Sequence, residues 1–359
     1  MITPRPHVAD LAAYALADLS VAPGVRLISL AQNESCVAPS PRAIEAAARA
    51  MADGALYPDP DWTGLRAAIA EVHGIDTAGI LCGAGSMELI SALIRTYAGP
   101  GDEVVSTAYA YALFRTAALA SGASYKAADE DDLTVSVDNL LTNVGPKTRI
   151  VCVANPGNPT GSCLSRSELV RLRDGLPENV LLLIDEAYGE FANTEACFGL
   201  VDRGDTIVMR TFSKAYGLAG LRVGWGLFPP EVAGEVRKLM NPNNIAGPAQ
   251  VAATAAMRDQ PYMLAAVAEV SSRRDRFATT LREIGLDAQP SAANFTLIRF
   301  ANATEAQSAD MALRAKGILM RGMGGYGLPH CLRATIAGED DMALATQVLT
   351  NWKEAHHEQ

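Results

Sequence analysis

The 359-residue chain has few charges, few aromatic rings and no paired cysteines. Charged residues make up 19% and aromatics 6%, and no cluster of Lys and Arg stands along it, which excludes a general nucleic-acid binder that must neutralise a phosphate backbone. The net formal charge of −10 points the same way and favours solubility. No run reaches the ~18 apolar residues of a membrane span, so no membrane partner is expected. The opening Met1-Ile2-Thr3-Pro4-Arg5-Pro6-His7 lacks the apolar core of a signal peptide, which makes the cytoplasm the expected compartment. Cys36, Cys82, Cys152, Cys163, Cys197 and Cys331 lie far apart with no Cys-x-x-Cys pair, so they are expected to be reduced and structural.

What is present is apolar residue, 49% of the chain, in a length that exceeds the size at which one core stops growing. One large domain and a smaller one are expected. Val8–Leu19 has a helical pattern and Val25–Leu30 is apolar, together an N-terminal arm over residues 1–30 that packs with the small domain. Pro39-Ser40-Pro41 opens an Ala-rich helix over Arg42–Met51, and after Tyr57-Pro58-Asp59-Pro60 a helix capped by Thr63 runs to His73.

From Ile80 the texture changes. Short apolar runs at Ile80–Cys82, Glu103–Thr107, Ala123–Ala127, Arg149–Ala154, Val180–Ile184, Thr206–Met209 and Gly224–Phe228 alternate with helical segments. Runs of that kind read as strands buried on both faces, so the fold class is α/β, with a mostly parallel sheet of about seven strands between helices in a large domain over 31–255. A long helix over Tyr262–Ile284 follows. Strands at Asn294–Phe300, Ile318–Arg321 and Cys331–Ile336, with helices over Glu305–Lys316 and Asp340–Ala355, make a smaller α+β domain over 256–359.

In open α/β sheets ligands bind beyond the C-terminal strand ends. After the first run comes Gly83-Ala84-Gly85-Ser86-Met87-Glu88, small residues opening a helix, where backbone N–H groups can hold a phosphate. It is not a dinucleotide fingerprint, because Glu88 takes the third glycine position. After the fourth run Asn158 offers an amide within Asn155-Pro156-Gly157-Asn158-Pro159-Thr160-Gly161. After the fifth, Asp185 stands where it should be buried and need a cation, with Tyr188 close by. After the sixth, Thr211-Phe212-Ser213-Lys214 leads to Arg222. A lysine partly desolvated beside a fixed cation is a nucleophilic amine able to form a Schiff base.

The ligand that uses this whole set is pyridoxal 5'-phosphate. Its phosphate suits Gly85, Ser86, Ser213 and Arg222; Met87 and Thr211 flank the same groups. Its ring nitrogen suits Asp185, its 3-oxygen Asn158 and Tyr188, and its aldehyde carbon Lys214.

With those residues in place, the chain resembles fold-type I aminotransferases of the histidinol-phosphate aminotransferase group. The likeness runs through Asn33-Glu34, Tyr57-Pro58-Asp59, Asn158 to Gly161, Asp185 to Tyr188 with Glu190-Phe191, Arg210 to Ala215, Gly217 to Arg222, Ala293-Asn294-Phe295 and Leu332 to Thr335. The resemblance implies that Tyr111 stacks on the cofactor, with Tyr109 a neighbouring alternative. It implies that Tyr57 reaches the cofactor phosphate of the partner subunit in a homodimer. It also implies substrate-binding roles for Asn33, for Arg333 as a carboxylate clamp and for Arg321 as a phosphate ligand.

Three departures fall on the substrate side: Ser35-Cys36 replaces Asn-Pro, Phe114 replaces a second tyrosine, and Asn243-Asn244-Ile245-Ala246 replaces an aromatic-Asn-Val-Asn loop. The implied activity is ping-pong transamination between a small-molecule amino donor and a 2-oxo acid, 2-oxoglutarate, with Lys214 as general base. The expected donor is histidinol phosphate. Alternatives are an aromatic amino acid, decarboxylation of an amino-acid phosphate, or a non-catalytic pyridoxal-phosphate-binding regulator, which would need a DNA-binding segment that the sequence lacks.

Overall fold

The computed structural model describes residues 2–9, 11, 20–21, 24–192 and 194–357. The helix expected over Val8–Leu19 lies mostly outside the described residues; within them Pro6–Ala9 is helical. Twelve strands follow in the described chain. They are β1 (Ile28–Leu30), β2 (Ile80–Gly83), β3 (Glu103–Thr107), β4 (Ser124–Ala128), β5 (Thr148–Ala154), β6 (Leu181–Asp185), β7 (Thr206–Thr211), β8 (Gly224–Leu227), β9 (Asp287–Ala288), β10 (Phe295–Arg299), β11 (Ile318–Met323) and β12 (Leu328–Thr335).

Seven of them form one sheet in the order β2-β8-β7-β6-β5-β3-β4. Neighbours from β7 to β4 are parallel, and β8 alone runs antiparallel, to both β2 and β7. The reason for burial on both faces is in the residues: every side chain of Thr206–Thr211 is buried, as are Leu182, Leu183, Ile184 and Asp185 of β6. The helix Ser86–Tyr97 covers one face through Leu89, Ile90, Leu93 and Ile94, a stripe at helical spacing. Burying each such side chain stabilises the fold by about 1.5–3 kcal/mol. The seven apolar runs coincide with these seven strands to within two residues at either end.

The second sheet has the order β1-β11-β12-β10-β9. Residues 28–30 join it by parallel pairing of Ile28 with Ile318, so this sheet draws one strand from the beginning of the chain and four from residues 287–335. The 24-residue helix Gln260–Glu283 packs against β10 and the closing helix Glu339–His357. Among the described residues, no helix is long and apolar enough to cross a membrane.

One local expectation is corrected. Thr63 is the first residue of the helix Thr63–His73 and does not cap it. The free N–H groups at that end are taken by Asp59, whose carboxylate accepts from Asp61 N at 2.9 Å and Thr63 N at 2.7 Å. The preceding helix, Pro41–Ala50, is capped by Ser40, whose Oγ accepts from Arg42 N at 3.2 Å with Pro41 in the first turn.

Candidate active site

A cavity of about 400 Å³ opens at the C-terminal ends of β2, β5, β6 and β7. It is lined by Asn33, Ser86, Met87, Tyr111, Asn158, Asp185, Tyr188, Thr211, Ser213, Lys214, Arg222, Arg321 and Arg333. The fold thus brings together all the expected site residues except Gly85 and Tyr57.

At one end is an anion cradle. Gly85 adopts φ +79° and precedes the helix Ser86–Tyr97, whose first N–H groups lack intrahelical partners. A Cβ on Gly85 would lie 2.4 Å from Arg222 Nη2, so only glycine lets the guanidinium close on the turn. Arg222 Nη1 donates to Ala219 O at 2.9 Å and approaches Ser213 Oγ at 3.4 Å. Because β8 runs antiparallel, Arg222, two residues before it, arrives at the same sheet edge as the trailing residues of β2 and β7. Glu88, the residue that breaks the dinucleotide pattern, braces the turn, since its Oε2 accepts from Ala84 N at 2.6 Å and from Asn244 Nδ2 at 2.7 Å.

Asp185 lies at the other end, 4% exposed. Its carboxylate accepts from Ala187 N at 3.1 Å, and burial pushes its pKa up to about 7. Among the described residues no arginine forms an ion pair with it. The buried arginine of this region, Arg210, pairs with Glu186 and Glu190 instead. Asp185 is thus a buried carboxylate at the cavity wall whose burial the nearby charge of Lys214 offsets only in part.

Between the ends, Tyr188 Oη accepts from Asn33 Nδ2 at 2.8 Å, which leaves its own proton free to donate, and burial pushes its pKa up to about 12. Arg333 donates to Asn158 Oδ1 and, at 2.8 Å, to Ala31 O, so the N–H groups of the Asn158 amide are left for another acceptor. Tyr111 lines the cavity with its ring 5.9 Å from Phe114, edge to face. Tyr109 packs instead against the satellite cluster of Leu133, Leu297, Met323, Leu328 and Cys331.

Lys214 Nζ donates to Asn33 O at 2.7 Å and reaches Gln32 O at 3.5 Å. Its pKa falls to about 7, first through burial and next through the charge of Arg333, which outranks that of Arg222. The sequence pointed to Arg222 as the depressing cation; the stronger influence is the arginine on the other sheet. A folded-state pKa near 7 against 10.5 means that the unfolded chain holds the extra proton over the interval between them. Stability therefore rises with pH there, and the cost of burying the ammonium is full below pH 7. That cost is on the order of 5 kcal/mol. We expect the unfolding free energy of the cofactor-free wild-type protein minus that of Lys214→Ala to climb between pH 7 and pH 10.5, measured by urea titration at each pH.

The chain's other expected contributors lie elsewhere. Tyr57 is 89% exposed and outside the cavity, and the loop at 243–248 does not line it: Asn244 instead accepts from Trp62 Nε1 at 2.9 Å and braces the turn at Glu88. Two contributors went unread in the sequence. The carbonyls of Gln32 and Asn33 hold the lysine amine, and Tyr326 lines the cavity from the turn Gly324–Gly327, where a ring among glycines was the available signal.

Residues 25–348 match the family model described as Aminotransferase class I and II. The chain belongs to that family. It is 43% identical over 358 residues to a histidinol-phosphate aminotransferase of Paramagnetospirillum magneticum, covering 96% of this chain and 97% of that one. A histidinol-phosphate aminotransferase of Ruegeria sp. is 42% identical over 340 residues, 94% of each chain. Among solved structures, the histidinol-phosphate aminotransferase of Sinorhizobium meliloti in complex with pyridoxal-5'-phosphate matches with a TM-score of 0.90 at 29% identity, covering 98% of this aminotransferase and 97% of that chain. A protein of Escherichia coli with a methionine aminotransferase function shares the fold at a TM-score of 0.87 and 21% identity, over 98% and 100% of the chains. Fold alone therefore does not choose the amino donor.

Proposed function

We propose that this aminotransferase is a cytoplasmic, pyridoxal-phosphate-dependent transaminase whose donor is histidinol phosphate and whose acceptor is 2-oxoglutarate. The observation that carries the donor is a pair of arginines: Arg321 and Arg333 face each other across β11 and β12, and both line the cavity. Like charges directly opposed on a sheet repel, and a phosphate dianion between them turns that repulsion into binding. The names of the relatives point to the same donor.

The cofactor fits the residues present. Ser86, Ser213 and Arg222, behind which Gly85 leaves no room for a Cβ, would hold its phosphate. Asp185, buried beside no arginine partner, would hold the proton on its ring nitrogen, and Asn158 and Tyr188 would donate to its ring oxygen, with Tyr111, Met87 and Thr211 completing the walls. When bound, pyridoxal phosphate supplies an aldehyde that takes up amino groups and a protonated ring that withdraws electrons. The protein's own part is to move one proton. With a pKa about 7, Lys214 is substantially a free amine at neutral pH, so Nζ can take the proton from the amino-bearing carbon of the donor and would pass it to the carbon that supplied the aldehyde. Asn33 O holds the ammonium in the interval. Arg333 and Arg321 orient the anionic end of the donor, and Arg333 then takes a carboxylate of the oxo acid.

A homodimer belongs to this reading, with Tyr57 reaching across to the partner's cofactor phosphate. It is supported by the exposure of Ile44, Met51, Leu56 and Tyr57 around the helix Pro41–Ala50, an apolar surface open to water. The division into an arm over 1–30, a large unit over 31–255 and a small unit over 256–359 is supported by the two separate sheets.

The donor is tested by steady-state rates with histidinol phosphate, phenylalanine and an amino-acid phosphate, each with 2-oxoglutarate. We expect histidinol phosphate to give the highest kcat/KM. Arg321→Ala should lower it by about 10–100-fold, the loss of one charge-assisted contact of about 1.5–3 kcal/mol, while phenylalanine changes little. A faster reaction with phenylalanine, or release of carbon dioxide, would overturn the donor.

A further inference from the structure

Three charged side chains are buried together behind Asp185, and the reaction described above uses none of them. Arg210, 5% exposed on β7, donates from Nε and Nη2 to Glu186 Oε2 at 2.9 and 2.7 Å and from Nη1 to Glu190 Oε1 at 3.1 Å. Its guanidinium is closely surrounded. The Phe198 ring centroid lies 5.3 Å from Cζ. A Cβ on Gly189 would fall 2.6 Å from Cζ. The remaining oxygen of Glu186, Oε1, accepts from Cys197 N at 3.1 Å.

The placement gives this cluster its meaning. Glu186 follows Asp185, Tyr188 lies two residues further on, and Glu190 closes the same short turn, while Arg210 directly precedes Thr211 on the adjacent strand. Glu186 N also donates to Met209 O at 2.9 Å, so the turn is tied to β7 by backbone as well as side chain. Burying three charges is costly, and replacing such a group by apolar residues is often neutral for stability, so fold stability alone is a weak account of it. Geometry supplies a better one. A planar fork can hold two carboxylates at fixed directions, which a single-point ammonium cannot.

We propose that Arg210 is a positioning residue for the reaction: by holding Glu186 and Glu190 on its guanidinium it fixes the turn that aims Asp185 and Tyr188 into the cavity. This rests on the transaminase reading for its effect on rate, and on the structure alone for its effect on the turn.

The test is Arg210→Lys, which keeps the charge and loses the fork, with Gly189→Ala as a second variant that crowds the guanidinium. In the cofactor-free proteins, amide hydrogen exchange should rise over residues 185–191 and stay unchanged in β3 and β5. In the holoenzyme kcat should fall about tenfold or more, while KM for the donor stays within about twofold, because Arg210 touches no substrate. In an Asp185→Asn background the same change should cost less than it does in the wild type, since part of its effect runs through the Asp185 carboxylate. Glu190→Gln should retain more activity than Glu190→Ala, because its amide oxygen still accepts from Arg210 and Glu190 Oε2 has no hydrogen-bond partner among the described residues to lose. Exchange that rises across the whole sheet, additive losses with Asp185→Asn, or equal activity of the two Glu190 variants would each overturn the proposal. If the wild-type protein transfers no amino group, the functional reading falls, and the exchange measurement still decides whether Arg210 holds the turn.

Discussion

Replacing Lys214 by Ala should abolish turnover, by about four orders of magnitude or more, and remove the visible absorbance of a lysine-bound cofactor. The size follows from two losses at one atom. A positioned general base contributes about 10²–10⁴-fold, and loss of the nucleophilic amine adds to it. The protein itself should survive. Lys214 Nζ donates to the carbonyls of Gln32 and Asn33, and burial already works against its charge, so the variant should fold and bind cofactor without linking to it. The measurement is a pair: single-turnover rate with the amino donor, and the absorption spectrum of the loaded protein. A variant that keeps both the rate and the band removes Lys214 from the chemistry.

Asp185→Asn should show effects of opposite sign in the loaded and cofactor-free proteins. With cofactor, a neutral amide cannot hold the proton of the ring nitrogen, and losing one member of a buried ion pair costs about 3–5 kcal/mol, so kcat should fall by about 10²–10³-fold or more. Without cofactor the carboxyl is a burden. Its folded-state pKa is raised from 3.8 to about 7, so between those values the folded chain holds the extra proton and stability falls as pH rises. Below about pH 4 the burden is absent, and above about pH 7 it is complete, on the order of 4 kcal/mol. Cofactor-free Asp185→Asn should therefore unfold at higher urea than wild type at about pH 8, and the gap should close as pH falls to about 4. A variant no more stable than wild type at the higher pH would mean that Asp185 already has a cation.

Much of the site was legible because strand ends are. The run Leu181–Ile184 announces a doubly buried strand, and whatever follows it must project at the sheet edge, so Asp185, Asn158 and Lys214 could be read as neighbours though far apart in the chain. What stayed illegible depends on register and on side chains that meet over long separations. Nothing local marks Arg321 and Arg333 as opposed, since that follows from the pairing of β11 with β12 and the shift after Gly322. Nothing in Asn243-Asn244 reveals that Asn244 reaches Glu88 and Trp62, and the family resemblance alone placed this loop on the substrate side. Asp185 and Glu186 are adjacent acids of one type. Only the alternation of side chains at the strand's end, and the position of Arg210 on β7, decide that one meets the arginine and the other the cavity.

The antiparallel strand β8 also sets the order in which the protein can be built. Among the described residues β2 is an edge strand paired with β8 alone, and their pairing joins Ile80 to Leu227 across a long stretch of intervening chain. Contacts so distant in sequence close late, because the intervening chain must be ordered first. The turn at Gly85 and the guanidinium of Arg222 therefore meet only after the central strands are in place, and the nascent chain has no complete anion cradle until β8 has emerged. An anion held at this cradle therefore requires β8 to be closed against both β2 and β7.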